Sequence, residues 1–348
     1  MFDVIRNEFG TDLGREDKIT LHAAHHRISI NLKSLTLDEI KTQIVKDNDL
    51  LSNRVHRHEP PVTSELPKIV VDDEKYFVVN KPSSIPIHPV SHYRHNSLIF
   101  LLAREYNVNY HVVHRLDRLT SGLVILAKTK DVSKKISKEI TDRLVSKEYI
   151  CRVVGHFPTS AACSVPLYVL SARKGISQVA TTPETVSRSK NADTLFELIS
   201  YDEGSNESIV RARPKTGRTH QIRVHLQYLG YPIRNDPIYN DPVFGSERFE
   251  HEKQKLLTEE EILTGMGKTR GWGENMYRLD SSNENAAVDI DPICDKCNEP
   301  PADPKHEDLI LYLHAYKYSG PDWSFETDLP YWAEQNYKSP DCYTKYDS

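Results

Sequence analysis

Apolar and polar positions change places in short blocks along this chain, which predicts brief strands mixed with amphipathic helices. Apolar, β-branched runs at 68–71, 76–80, 110–113 and 123–127 predict buried strands. Asp72-Asp73-Glu74 and Thr120-Ser121-Gly122 supply turns between them. Alternation over 147–155 predicts a strand with Lys147, Tyr149, Cys151 and Val153 on one face. Two more strands are expected at 194–200 and 208–212, and closing ones at 311–315 and 323–326. A helical period is present at 97–106, and again at 131–145, where Val132, Ile136, Ile140 and Leu144 form an apolar stripe. Ile222, Leu226 and Leu229 predict a helix capped by Thr219 and stopped by Gly230. Nearer the N-terminus the pattern reads as strand from Ile19 through 27–31, then as a short helix over 37–44. Residues 156–193 show no regular pattern. Residues 245–308 are rich in Gly, Asn and acids and read as an insertion with one short helix near 258–263. By pattern alone the fold is mixed α and β with many strands.

Composition narrows this. With 348 residues, 38% hydrophobic and 27% charged, the chain can bury a sizeable core in one large domain or two smaller ones. A net charge of −5 does not advertise nucleic-acid binding, so any basic surface must be local. Cysteines at 151, 163, 294, 297 and 342 are odd in number in a chain too large to need staples, which points to a reducing, intracellular setting. Asp3, Glu8, Asp12, Glu16 and Asp17, with no apolar run beside them, argue against a signal or transit peptide. No stretch of 18 apolar residues suggests a membrane span.

Three places carry candidate chemistry. Asp117 lies in a turn between two predicted strands with Arg115 and Arg118 beside it. Adjacent guanidinium groups would keep a partly desolvated carboxylate ionised, as a nucleophile or base requires. The plainer reading is an Arg-Asp pair that pins the turn. From Arg211 to His225 there are five Arg or Lys residues, two His and no acid, which marks a phosphate-contacting surface or a solvated helix start. Cations sit poorly at a helix N-terminus, so an anion is expected nearby. Cys294 and Cys297 form a C-x-x-C pair that invites zinc. Zinc takes four ligands, and no second pair is present; His306 and an acid are the companions in view, against a plain pair of thiols.

The string His114-Arg115-Leu116-Asp117-Arg118-Leu119-Thr120-Ser121-Gly122-Leu123 closely resembles the signature of the RluA-type pseudouridine synthases, in which the Asp is the catalytic residue. Lys147-Glu148-Tyr149, followed by Val153 and Gly155, resembles the second motif of that family, whose Tyr stacks on the target base. Gly217-Arg218-Thr219-His220-Gln221-Ile222-Arg223-Val224-His225 resembles the third. By that resemblance Arg223 pairs with Asp117. Asn80-Lys81-Pro82 resembles the family's lysine-proline loop, with Ser84 where Gly is more usual, and Lys81 is either a phosphate contact or solvated. Residues 48–61 resemble a lead-in that ends a small S4-type RNA-binding domain, of which only the second half is evident here.

The resemblance implies an α+β fold, a mostly antiparallel mixed sheet with flanking helices around a central RNA-binding cleft. It divides the chain into an N-terminal extension, 1–62, a catalytic domain, 63–335, carrying the insertion 245–308, and a loose tail, 336–348. The implied activity is isomerisation of uridine in RNA, with Asp117, Tyr149 and Arg223 catalytic and Arg115, Arg118, Lys81, Lys147, Arg213, Lys215, Arg218 and His220 contacting RNA. No cofactor or metal is required by this chemistry, and attack at C1′, attack at C6 or proton removal from C2′ all stay open for Asp117. The Pro60-Pro61 lead-in and the C-x-x-C insertion resemble eukaryotic relatives from the cytoplasm, nucleus or mitochondrion that act on tRNA. The expected partner is therefore tRNA before rRNA or mRNA, with no membrane and a monomeric chain. A catalytically inactive RNA-binding or chaperone relative is the alternative, and a hydrolase using Asp117 and the histidines is a third.

Overall fold

The computed structural model describes residues 16–54, 58–172, 175–251, 256–270, 291, 294, 297, 304–334 and 336–340. The chain divides into two compact units, Met1–His58 with Tyr277–Asp303, and Glu59–Met276 with Pro304–Ser348. The stretch 245–308, expected as one insertion, is thus shared between the units.

The smaller unit contains α1 (Glu16–Ala24), β1 (Ile28–Ile30), β2 (Lys33–Ser34), α2 (Leu37–Thr42) and β3 (Leu51–Asn53). Its sheet has the order β2-β1-β3, antiparallel throughout. Ile19 and Ala23 are four residues apart and both buried against Ile28, Ile30, Leu35 and Ile40. That spacing is helical, so the strand expected to begin at Ile19 is a helix, and strand structure begins only at Ile28. Thr36 and Glu39 cap α2 reciprocally: the Glu39 N–H donates to Thr36 Oγ1 and the Thr36 N–H to Glu39 Oε2.

The larger unit begins with β4 (Lys68–Asp72), β5 (Tyr76–Lys81), α3 (Leu98–Tyr106), β6 (His111–Val112), β7 (Ser121–Ala127), α4 (Lys130–Thr141) and β8 (Ser146–Val154). It continues through β9 (Ser160–Cys163), β10 (Leu167–Ser171), β11 (Ile176–Val179), α5 (Pro183–Ser187), β12 (Thr194–Asp202), β13 (Glu207–Pro214) and α6 (Gln221–Tyr228). The last elements are α7 (Glu259–Arg270), β14 (Leu313–Ser319) and β15 (Ser324–Glu326). Four of these, β9, β10, β11 and α5, fall within the stretch that had no regular pattern. Helix α7 outruns the short helix expected there because Ile262 and Met266 bury against Val224, Phe244 and Leu257. Helix α4 stops at Thr141, so Leu144, the last member of the predicted stripe, is 57% exposed beyond its end.

A ten-stranded sheet organises this unit in the order β4-β5-β7-β14-β8-β13-β12-β9, with β15 on β14 and β6 on β7. Its pairs are antiparallel except β7 with β14, which run parallel. The α+β class, with a mostly antiparallel mixed sheet, is therefore the architecture found. Two apolar clusters draw on it. One gathers Ile150, Val153, Val210, Leu226 and Trp332; the other gathers Val78, Leu102, Val124, Ile136 and Trp323. Each such side chain contributes about 1.5–3 kcal/mol on full burial. No helix among the described residues is long and apolar enough to cross a membrane.

At the parallel junction Gly122 faces Ala315, Ala315 faces Tyr149, and Tyr149 faces Ala212, so four strands contribute to one row. The approach of β14 explains the glycine. Gly122 has φ +111°, and a Cβ there would lie 2.3 Å from the Ala315 carbonyl oxygen. Gly122→Ala is expected to destabilise the protein by about 2–4 kcal/mol, from backbone overlap and the unfavourable φ together. Urea denaturation measures this, and a loss under 1 kcal/mol would contradict the close approach.

Candidate active site

The row through Gly122, Ala315 and Tyr149 fixes where the first two motifs meet. Asp117 lies in the loop that enters β7, and its carbonyl accepts the Thr120 N–H at 3.1 Å, closing the turn. Its side chain is 30% exposed, so an incoming group can reach it. Tyr149 stands half-buried on β8, and its hydroxyl shares a short hydrogen bond with that of Tyr318 on β14. Burial pushes both phenols up, and the Asp117 charge adds to the rise, so both are protonated at neutral pH. Tyr318 was not singled out in the sequence; nothing but its pairing beside β8 distinguishes it from other strand tyrosines.

The third motif reaches the same place from β13. The loop after Pro214 is held by Gln221: its Oε1 accepts from Thr216 Oγ1 at 2.8 Å and from the Arg218 N–H at 3.0 Å. Its Nε2 donates to Asp193 O at 3.0 Å and to Thr194 Oγ1 at 2.9 Å. All the hydrogen-bonding capacity of a buried amide is engaged in fixing one loop. His220, and not Thr219, then takes the residue before α6, in the left-handed region at φ +56°. That turn brings His220 Nε2 to 3.7 Å from Asp117 Oδ2, with Nδ1 3.0 Å from the Tyr239 hydroxyl. The Tyr239 oxygen also accepts the Ser177 N–H at 3.0 Å. With the Tyr239 proton donated to Nδ1, the neutral ring carries its own proton on Nε2, facing Asp117. Burial, followed by the nearby Arg223 charge, pushes the His220 pKa down to about 4.

Several expected contacts are corrected by this geometry. Arg223 does not pair with Asp117: its Nε and Nη2 donate to Asp236 at 2.6 and 2.8 Å, a bidentate pair with both partners buried. Asp236 is the anion that the basic helix start required. Burial opposes ionisation of Asp236, but Arg223 and the N–H groups of Tyr239 and Ile238 hold its pKa below the usual carboxylate range. Arg223 also lies over the Tyr239 ring, 5.0 Å from the centroid, and the Asp117 charge still reaches it. The positive patch is acid-free only along the chain. Across the sheet Glu148 and Glu197 pair with both Arg211 and Arg213, at 3.0–3.5 Å. Arg213 is thereby engaged with protein carboxylates, and a neutral His220 carries no charge toward a phosphate.

Lys81 is the third correction. It is fully buried, and its Nζ donates to the carbonyls of Pro82 at 2.9 Å, Ile85 at 2.8 Å and Arg118 at 3.2 Å. Burial, with Arg118 nearby, pushes its pKa down to about 7. It ties the lysine-proline loop to the residue after Asp117 and cannot reach RNA. Lys81→Met should therefore cost about 2–4 kcal/mol of stability through the orphaned carbonyls, while the salt dependence of RNA binding stays unchanged. A salt slope shallower by about 0.7–0.9 in that variant would restore Lys81 as a phosphate contact. Arg115 and Lys215 are exposed, and Arg118, Lys147 and Arg218 are half-buried, with Arg118 over the Tyr93 ring and Arg218 Nε on Asn191 O. Among the described residues, none of these five is paired with a protein carboxylate.

Comparison with known proteins bears on the family and the fold. The sequence profile described as "RNA pseudouridylate synthase" matches residues 75–228, an interval that includes Asp117, Tyr149 and Arg223. The human protein "Pseudouridylate synthase RPUSD2" is 36% identical, over 90% of this chain and 68% of its own length. The "tRNA pseudouridine(32) synthase, mitochondrial" of Saccharomyces cerevisiae is 38% identical, over 83% of this chain and 64% of its own. The chain thus spans about two thirds of the length of these curated relatives. A solved structure, that of human RNA Pseudouridylate Synthase Domain Containing 1, superposes with a TM-score of 0.50 at 19% identity, over 78% of this chain and 85% of that one, and shares the fold.

Proposed function

The chain belongs to the RNA pseudouridylate synthase family, in its RluA-type branch, and from that premise we propose that it isomerises uridines in tRNA to pseudouridine with Asp117 as the reacting carboxylate. The observation that carries this reading is the setting of Asp117: reachable, and flanked by the Tyr149–Tyr318 pair and His220. The reaction breaks N1–C1′ and joins C5 to C1′; C5 gives up its proton and N1 acquires one. A carboxylate assists at the sugar or the base. The target nucleotide must leave its stack, and the Tyr149 ring offers a replacement surface worth about 1–3 kcal/mol. A protonated Tyr149 suits stacking and hydrogen-bond donation better than service as a base.

His220 and Arg223 act on Asp117 without an ion pair. The imidazole presents its N–H, and the guanidinium, held in place by Asp236, contributes a fixed positive field. Arg115, Arg118, Lys147, Lys215 and Arg218 bind the phosphates around the flipped base. A tRNA substrate is favoured by the yeast relative named for position 32 of tRNA. An RNA substrate sets the reaction inside the cell, and that relative's name adds the mitochondrion to the cytoplasm and nucleus as compartments to examine.

The direct test incubates the protein with unmodified tRNA transcripts and maps pseudouridine. Modification at discrete positions is expected. Tight binding of tRNA with no modification would instead establish an RNA-binding relative, and release of free uracil would establish a hydrolase.

A further inference from the structure

We propose that His58, Cys294 and Cys297 form a structural zinc site. The three residues are half-buried, belong to the same unit, and place one donor atom each within 4.8 Å of one another. His58 Nε2 lies 3.2 Å from Cys297 Sγ, across a sequence separation of 239 residues. Tetrahedral zinc with Zn–S near 2.3 Å and Zn–N near 2.05 Å requires roughly 3.6 Å between nitrogen and sulfur and roughly 3.8 Å between sulfurs. The cluster is compatible with those spacings, so a cation can replace the shared proton with little movement. His306, expected as the companion of the C-x-x-C pair, is not in the cluster; His58 is.

The surroundings suit a thiolate site. The Cys297 N–H donates to Cys294 O at 3.0 Å, and the Cys294 N–H to Asp291 O at 3.0 Å; the two sulfurs lie within 4.8 Å of each other. The Asp291 N–H donates to Cys297 Sγ at 3.4 Å, the kind of outer contact that supports a coordinated sulfur. The Asp291 carboxylate is not a ligand, because Arg27 holds both of its oxygens at 2.6 and 2.8 Å. Two sulfurs and an imidazole select zinc over calcium or magnesium, which prefer oxygen. Binding replaces two thiol protons by one Zn²⁺ and leaves them in solvent; nothing is oxidised or reduced, and water or a further side chain takes the fourth position. Clasping Cys294 and Cys297 to His58 closes a very long loop, which is where a metal clip is most effective.

The experiment is metal analysis of the full chain purified under reducing conditions without chelator. About one zinc per chain is expected, falling at least fivefold in Cys294→Ser, Cys297→Ser and His58→Ala and unchanged in Cys342→Ser. Should those variants fail to fold, cobalt titration of the chelator-treated wild-type protein decides the matter: a thiolate-to-cobalt charge-transfer band is expected at one equivalent. Background zinc after loading with stoichiometric zinc, the absence of that band, or undiminished zinc in all three variants would overturn the site.

Discussion

Asp117→Asn is expected to lower the single-turnover rate of pseudouridine formation by at least about 10³-fold, while tRNA affinity changes by less than about threefold. The substitution keeps size and shape and removes one charge. Asp117 can lose that charge without disturbing the fold, because it is 30% exposed and His220 Nε2 stands 3.7 Å from it, outside hydrogen-bond distance. The contrast is Arg223→Ala, which would leave the buried Asp236 carboxylate uncompensated and destabilise the fold by about 3–5 kcal/mol. Loss of activity in that variant would say little about catalysis. An Asp117→Asn protein that melts like the wild type yet keeps more than a tenth of its rate would remove Asp117 from the reacting position.

Acidification from about pH 6.5 to pH 4 is expected to remove several kcal/mol of folding stability. The cause is a set of buried, neutral histidines. His225 makes contacts of 3.0 Å to Thr194 Oγ1 and 3.1 Å to Val165 O, and burial pushes its pKa down to about 4. His314 lies 2.9 Å from Ser121 Oγ and 2.7 Å from Thr327 Oγ1, and burial, with Lys81 nearby, pushes it down to about 4 as well. His220 behaves alike, and burial pushes His114, whose Nε2 accepts the Ile125 N–H, down to about 3. Each folded-state value lies below the free value near 6.5, so the unfolded chain binds more protons in this window and stability rises with pH across it. The stability is fully present above pH 6.5 and is lost as pH falls, at about 3 kcal/mol for each group shifted to about 4. Since a domain's total stability is about 5–15 kcal/mol, acid unfolding should begin well above the carboxylate range. Urea titrations at pH 7, 5.5 and 4.5 measure the slope, and His225→Gln should reduce proton uptake on unfolding by about one. A level profile between pH 6.5 and 4.5 would contradict the buried neutral state.

Features legible along the chain are local ones. Periodicity placed most strands of the large sheet, because alternation and β-branching act within a few residues, as at β5, β7 and β8. Asp117 and Tyr149 stood out through resemblance to short family motifs; by local pattern alone, a turn acid before a strand and an aromatic on an alternating one read as structural residues. Tertiary structure decided what those residues meet. Arg213 looked free because Glu148 and Glu197 lie on other strands and reach it only through registers set by β8, β12 and β13. By resemblance Arg223 pointed to Asp117, but a loop sets Asp236 against it, and Lys81, either a phosphate contact or solvated by the sequence, is enclosed by three carbonyls. His58 gained Cys297 from 239 residues away. Burial and charge pairing are properties of surfaces brought together by pairing and packing over long separations, and no window along the chain contains them.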